Sequence, residues 1–447
     1  MRIVQILFFI IALAVTIFFA RKKYTEVATN IRRGKKVDFD PKDSGARWKN
    51  VFLIALGQKK MFKNWIPAVL HLFIYVAFLF TQIELIEILI DGFLGTHRAI
   101  YYALEGGFLS WIYVAVINMI EILSVLAFVA TVIFLYRRNL LKVPRFVKPE
   151  MNGWPKLDGN IILYLEIVLL IGVFCMNVGD QALHLQQTGT TYPFVLSGMF
   201  AHIFYGLPSA LLSIMERFGW WLHILTVFAF LNYLPYSKHL HVMLAFPNTY
   251  FADLEVKGKM TNMPEITKEI KLMMDPNAPM EEVPAEGETQ SKFGAKDVED
   301  YPWTTLLAAY TCTECGRCTA ACPANTTGKV LSPRAIVMAL RDRMEDKSKN
   351  EKEHGKDHDD GKSLFDYITK EEINACTTCN ACAEECPINI NPLSMILELR
   401  RYKIMEEADS SEEWNLMFTN TENNGAVWQF NPADRAKWVN DLKDENA

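Results

Sequence analysis

The sequence predicts a mostly α-helical chain in two parts: a transmembrane helix bundle of about five spans, then a soluble α-helical domain built on cysteine loops. Three observations predict it. Residues 1–245 hold long apolar runs, whereas 250–447 are polar and charged. Lys and Arg gather beside alternate apolar runs. Eight of the nine cysteines fall between Cys312 and Cys386. The whole-chain averages, 51% hydrophobic and 22% charged over 447 residues with net charge −5, hide this division. The length suits two or three domains. No nucleic-acid partner is expected.

The first apolar run, residues 3–20, is just long enough to cross a bilayer. Its positive charge follows it (Arg21, Lys22, Lys23, then Arg32, Arg33, Lys35, Lys36), and no small-residue cleavage site precedes that charge, so it reads as a span and not as a signal peptide. The positive-inside rule puts the N-terminus outside and residues 23–64 in a basic cytoplasmic loop. Further spans are expected at about 65–90, 109–136, 161–184 and 218–237. Arg137, Arg138, Lys142, Arg145 and Lys148 mark a second cytoplasmic loop, and Trp65, Trp111, Trp220 and Trp221 sit near span ends, where amphipathic rings prefer the interface. The stretch 194–214 is apolar but carries His202, Gly206 and Pro208. As a sixth span it would put the cysteines outside; as an external or re-entrant segment it keeps them in the cytoplasm. Lys238 after the last span favours the second count. Glu121 falls mid-span, where charge is costly; it suits either proton relay or a hydrogen-bonded structural role.

Residues 246–300 read as a linker, 301–407 as the cysteine domain and 408–447 as a tail. Within the domain, 341–362 is a run of charge with too little apolar surface to order itself, so a solvated loop is expected, His354 and His358 included. Helices are expected at 333–342, 363–373 and 392–407.

The cysteines fall in two runs, Cys312-x2-Cys315-x2-Cys318-x3-Cys322-Pro323 and Cys376-x2-Cys379-x2-Cys382-x3-Cys386-Pro387. This is the spacing of cubane iron–sulfur loops: three close thiolates take three corners of one cube, and the fourth, before proline, reaches the other cube. The pattern assigns Cys312, Cys315, Cys318 and Cys386 to one 4Fe-4S cluster and Cys376, Cys379, Cys382 and Cys322 to a second. Zinc also uses paired C-x2-C, but two complete four-cysteine runs ending in Cys-Pro set it aside. The clusters imply a reducing compartment. Cys175, inside an apolar run, reads as a small buried thiol.

His71 opens the second span; His223 and His241 bracket the last, 18 residues apart. On one continuous helix that is five turns and about 27 Å, so both rings share a face with one near each membrane surface. Two imidazoles on one haem iron make a b-type centre, and anchoring at the interface is the plainer alternative.

The stretch Trp220-Trp-Leu-His223 through Leu234-Pro-Tyr-Ser-Lys-His-Leu-His241 resembles the last helix of the respiratory nitrate reductase gamma subunit and its relatives, the membrane cytochrome subunits of heterodisulfide reductase among them. The resemblance implies a haem b between His71 and His241 on the cytoplasmic side. It departs at Thr81, where that pattern has a second histidine, so the partner of His223 is open among His202, His184 and His97, with one haem or two in prospect. His239 points off the shared face. The segments Cys-Thr-Glu-Cys-Gly-Arg-Cys, Cys-Pro-Ala and Gly328-Lys-Val-Leu-Ser-Pro333-Arg look like the ferredoxin-type, two-cluster portion of heterodisulfide reductase-like iron–sulfur oxidoreductases. In many of those a cysteine-rich catalytic (CCG-type) domain follows; here that half is expected in a separate partner, such a protein or a flavoprotein, docking on the tail.

The two resemblances imply a multi-pass subunit of a prokaryotic inner membrane, passing electrons between a quinone, menaquinone by analogy, and cytoplasmic clusters. With no flavin fingerprint and no catalytic cysteine beyond the cluster ligands, no catalytic residue is assigned. The rival readings are a self-sufficient quinone oxidoreductase fed by a soluble ferredoxin, and an anchor with vestigial haem sites.

Overall fold

A computed structural model describes residues 2–256, 258–275, 292–356, 358–429 and 431–445. The chain is helical throughout, with no strand among the described residues beyond one isolated bridge between Lys35 and Pro302. Five helices are long and apolar enough to cross a membrane. They are α1 (Arg2–Ile31), α2 (Trp65–Leu94), α3 (Phe108–Asn139), α4 (Trp154–Thr188) and the span Ser209–Tyr236. The stretch 194–214 is no sixth span: a ten-residue helix, α5 (Val195–Phe204), ends at Phe204, and Ser209 opens α6 (Ser209–Tyr233).

Many apolar residues on these spans are exposed, among them Phe8, Ile11, Phe18, Leu79, Trp111 and Phe128, as suits side chains with lipid for a neighbour. The inner seam relies on small residues. A Cβ at Gly172 of α4 would sit 2.8 Å from the His223 nitrogen of α6, and one at Gly219 would sit 2.4 Å from the Met176 nitrogen. Only glycine lets these backbones approach so closely.

Buried polar groups at the far end, away from the cysteines, find partners. Arg98 bonds Asp180 at 2.5 Å and Asn177 at 3.0 Å, and Asn177 reaches Glu84 at 3.0 Å. Glu121 accepts from the backbone amides of Leu196 and Ser197, at 3.0 and 3.2 Å. It thus caps the first turn of α5, whose free amides attract a carboxylate.

Three boundaries differ from expectation. Helix α1 does not stop at residue 22 but runs to Ile31, burying Phe9, Thr16, Ala20, Lys23, Val27 and Asn30 on one face. Its last turns leave the bundle and pack on the cysteine domain, where Asn30 bonds the Tyr310 hydroxyl at 2.8 Å and Arg33 pairs with Glu351 at 2.5 Å. The charged run 341–362 is not a solvated loop over its first half. Helix α8 (Pro333–His354) continues through it, following α7 (His241–Tyr250) in our numbering of the chain. Polar partners stand in for apolar burial: Arg343, 1% exposed, is held by Asp297 and Asp360 at 2.8 and 2.6 Å. The expected linker contains the second half of α7 and a helix over Pro264–Met274, and its segment 276–291 lies outside the described residues.

The last span breaks as well. Pro235 starts a short 3-10 turn and Ser237 is extended, so α6 ends and α7 begins afresh at His241. His223 and His241 therefore lie on two helices, not on one face of a single helix.

Candidate metal centres

Each cysteine run forms a loop and one short helix: Arg317–Ala320 after Cys315, and Ala381–Glu385 after Cys379. The loops repeat each other. Left-handed backbone occurs at Glu314 (φ 48°) and Gly316 (φ 71°) in the first, and at the matching Thr378 (φ 56°) and Asn380 (φ 62°) in the second. Three of these four are not glycine, so the conformation is costly and the surroundings hold it. It turns amides inward: Thr378 N–H lies 3.5 Å from Cys376 Sγ, and Ile390 N–H 3.3 Å from Cys386 Sγ.

The fold then exchanges the fourth thiols. Cys312, Cys315, Cys318 and Cys386 line one cavity, with Val337, Ile388 and Ile390. Cys376, Cys379, Cys382 and Cys322 line another, with Leu331, Leu393 and Ile396. Among the described residues no three His, Cys, Asp or Glu side chains converge on a single-ion position. A zinc ion requires donors within about 2.3 Å of one point, whereas a cubane spreads its thiolates around a larger body, so the two cavities fit the latter. Burial pushes the Cys312 and Cys382 thiols up to about 12 and that of Cys386 up to about 11. Empty, such sites hold protons; bound iron supplies the charge that makes thiolates.

The histidines divide. The His71 and His241 rings face each other with centroids 6.5 Å apart and planes at 35°. Two metal–imidazole bonds of about 2 Å and two ring radii of about 1.1 Å span nearly this distance, so the spacing suits two imidazoles on one metal. In each ring Nδ1 meets an acceptor: Gln58 Oε1 at 3.1 Å for His71 and the Lys238 carbonyl at 3.1 Å for His241. That leaves Nε2 free, the arrangement that orients a ligating histidine. Gln58 itself is 4% exposed with φ 49°, a strained and buried residue aimed at His71.

His223 is buried with Nδ1 on the Leu169 carbonyl at 3.3 Å, yet no imidazole among the described residues faces it as His241 faces His71. His202 is exposed on α5. His184 stacks on Tyr192 at 3.9 Å, and His97 is taken up by Asp180 at 2.6 Å. His239 lies 5.7 Å from the His241 ring but tilts away by 52°.

Sequence reasoning missed the residues that join the two halves. The Lys60 ammonium rests on the carbonyls of Ala383 and Cys386, at 3.5 and 3.4 Å. The Arg145 backbone and Cβ lie against Gly316. Arg317 is within electrostatic range of His71, and Lys238 of Cys312. The histidine pair thus borders the first cysteine loop. Only the positive charge of these segments was visible in advance, and it was read as a marker of sidedness.

The comparisons agree with this arrangement. Residues 308–390 match the family model of the 4Fe-4S dicluster domain. Residues 308–390 form a 4Fe-4S dicluster domain. Over 93% of its length the chain is 28% identical to a probable iron-sulfur-binding oxidoreductase, FadF, of Bacillus subtilis, covering 58% of that protein. It is 27% identical over 87% of its length to the EtfAB:quinone oxidoreductase of Syntrophomonas wolfei, covering 53% of it. A probable membrane-anchored ferredoxin of Chromohalobacter salexigens is 31% identical over 35% of this chain and 25% of its own. The chain thus spans a little over half the length of the first two. No solved structure matches. Together the matches and the five apolar helices describe a multi-pass membrane protein similar to iron–sulfur oxidoreductases.

Proposed function

We propose that this chain carries electrons between quinone in the membrane and a redox partner at the cytoplasmic face. The route is one haem b held by His71 and His241, then a 4Fe-4S cluster on Cys312, Cys315, Cys318 and Cys386, then a second on Cys376, Cys379, Cys382 and Cys322. The observation that carries the reading is the facing histidine pair with both Nδ1 atoms anchored, set beside the first cysteine loop. Bound iron centres supply one-electron chemistry. The protein fixes their ligands, excludes water with Val337, Ile388 and Ile390, and leaves Cys379 exposed as the outlet.

The printed name of the Syntrophomonas relative supports quinone at one end and an EtfAB-like partner at the other. The resemblances to the nitrate reductase gamma subunit and to heterodisulfide reductase-like proteins belong to the same proposal, as does a separate CCG-type or flavin partner docking on 408–447. Sidedness follows from charge. Lys23, Lys60, Arg145 and Lys148 all meet the cysteine domain, which under the positive-inside rule supports a cytoplasmic domain and an N-terminus outside. Because His223 has no facing imidazole, one haem is proposed and His202 is not a ligand.

The test is the visible spectrum of the full chain in detergent. A reduced b-type α-band is expected, lost in His71→Ala and in His241→Ala and kept in His202→Ala. A wild-type chain with no such band, but with eight irons per chain, would leave the clusters and remove the haem.

A further inference from the structure

Most charged groups around the cysteine loops are neutralised locally. Arg334 pairs with Glu314 at 2.9 Å, and Lys63 pairs with Glu385. Two cations from the membrane half are not. Lys60, from the segment before α2, meets only the carbonyls of Ala383 and Cys386, and Cys386 is the fourth thiol of the first cavity. Arg145, from the segment between α3 and α4, packs its backbone on Gly316, next to Cys315. Its Nε is buried with no hydrogen-bond partner, and its charge acts on Cys315. Its guanidinium carbon lies 4.9 Å from the centre of the Phe146 ring, a face that tolerates a cation but does not cancel it. A partly buried, unpaired guanidinium is costly unless an anion is due beside it.

We infer that Lys60 and Arg145 are positioning charges through which the membrane half favours the reduced state of the first cluster. This rests on the cluster assignment above. A cubane held by four thiolates is an anion, and one-electron reduction adds a negative charge without moving a proton or breaking a bond. A fixed cation stabilises the more negative state more. The second cavity receives less of it: Lys60 borders it only through the Ala383 carbonyl beside Cys382, Arg145 lies on the first loop, and Arg400, from the soluble domain itself, sits on the Cys376 carbonyl at 2.5 Å. The cluster nearest the histidine pair is therefore the one whose affinity for an electron the membrane domain adjusts. At an effective dielectric of about 20, a unit charge some 10 Å away changes a one-electron equilibrium by on the order of tenfold.

The experiment is a potential-controlled electron paramagnetic resonance titration of the full chain in detergent. It compares wild type with Lys60→Gln, Arg145→Gln and the double control Lys63→Gln/Glu385→Gln, which removes an ion pair with no change of net charge. The expected result is that one of two reduced-cluster signals moves to lower potential in Lys60→Gln and in Arg145→Gln, on the order of tenfold in the equilibrium constant for each. The other signal moves less, and the control stays. Arg145→Lys keeps most of the wild-type value. If both variants retain eight irons and both midpoints are unchanged, or if both signals move equally, the inference is overturned while the cluster assignment stands. A wild type without two cubane signals overturns the assignment and this inference with it.

Discussion

The His71 imidazole shows how much of this site is decided by single atoms. Its Nδ1 faces Gln58 Oε1 at 3.1 Å, and Gln58 is buried in a left-handed conformation to get there. Replacing Gln58 with Leu leaves that N–H unpaired and the ring free to turn, and losses of this kind cost about 10–100-fold in metal affinity. Haem per chain, read from the reduced α-band, is expected to fall in Gln58→Leu and to recover in Gln58→Glu. The cysteines make a second residue-scale prediction. Burial raises the Cys312, Cys382 and Cys386 thiols in the empty fold, so iron must displace protons. For a group held above its ordinary value, the protonated form persists as pH rises, and iron competes better the higher the pH. Reconstitution of stripped protein is therefore expected to fill more slowly and less completely at pH 6 than at pH 8, by iron content. The cysteine pattern was legible in the sequence because a covalent spacing rule sets it. Gln58 was not, because nothing in Gly57-Gln-Lys-Lys indicates a strained backbone or a partner thirteen residues on.

At the scale of elements, helices were legible wherever burial is apolar and hidden wherever it is polar. The five spans announce themselves by hydropathy, and their number follows once Phe204 ends α5. Helix α8 does not announce itself, because its second half is charged. It is ordered by Arg343 between Asp297 and Asp360 and by Ser348 and Glu351 against Asn30 and Arg33. Removing one partner of such a buried set strands the rest. Asn30→Leu leaves the Tyr310 and Ser348 hydroxyls short of a partner and is expected to destabilise the docked helix by about 1–3 kcal/mol. Protease cutting within 341–362 should rise accordingly, with the visible spectrum unchanged. The break of the last span did have a signal, Pro235, which suits the first turn of a new helix and disfavours the interior of a continuous one.

At the scale of the whole molecule, α1 and the segments around Lys60 and Arg145 make the bundle and the dicluster domain one mechanical unit. The split into two halves was plain from composition, but the joint was not, since it combines a few apolar residues, Val27, Leu240 and Ala245, with isolated polar contacts that form no motif. The proposed sidedness rests on the basic residues that form it. In inside-out membrane vesicles a protease should therefore reach the dicluster domain, and in right-side-out vesicles it should not.

The central claim is that electrons leave the membrane through the His71–His241 pair. The direct measurement is the reduction of the cysteine-bound clusters by a quinol in the full chain, followed by electron paramagnetic resonance beside a dithionite control. We predict quinol-driven signals in wild type and none in His71→Ala or His241→Ala, with dithionite reducing the clusters in all three. Quinol reduction of the clusters at the wild-type rate in either variant would contradict the account.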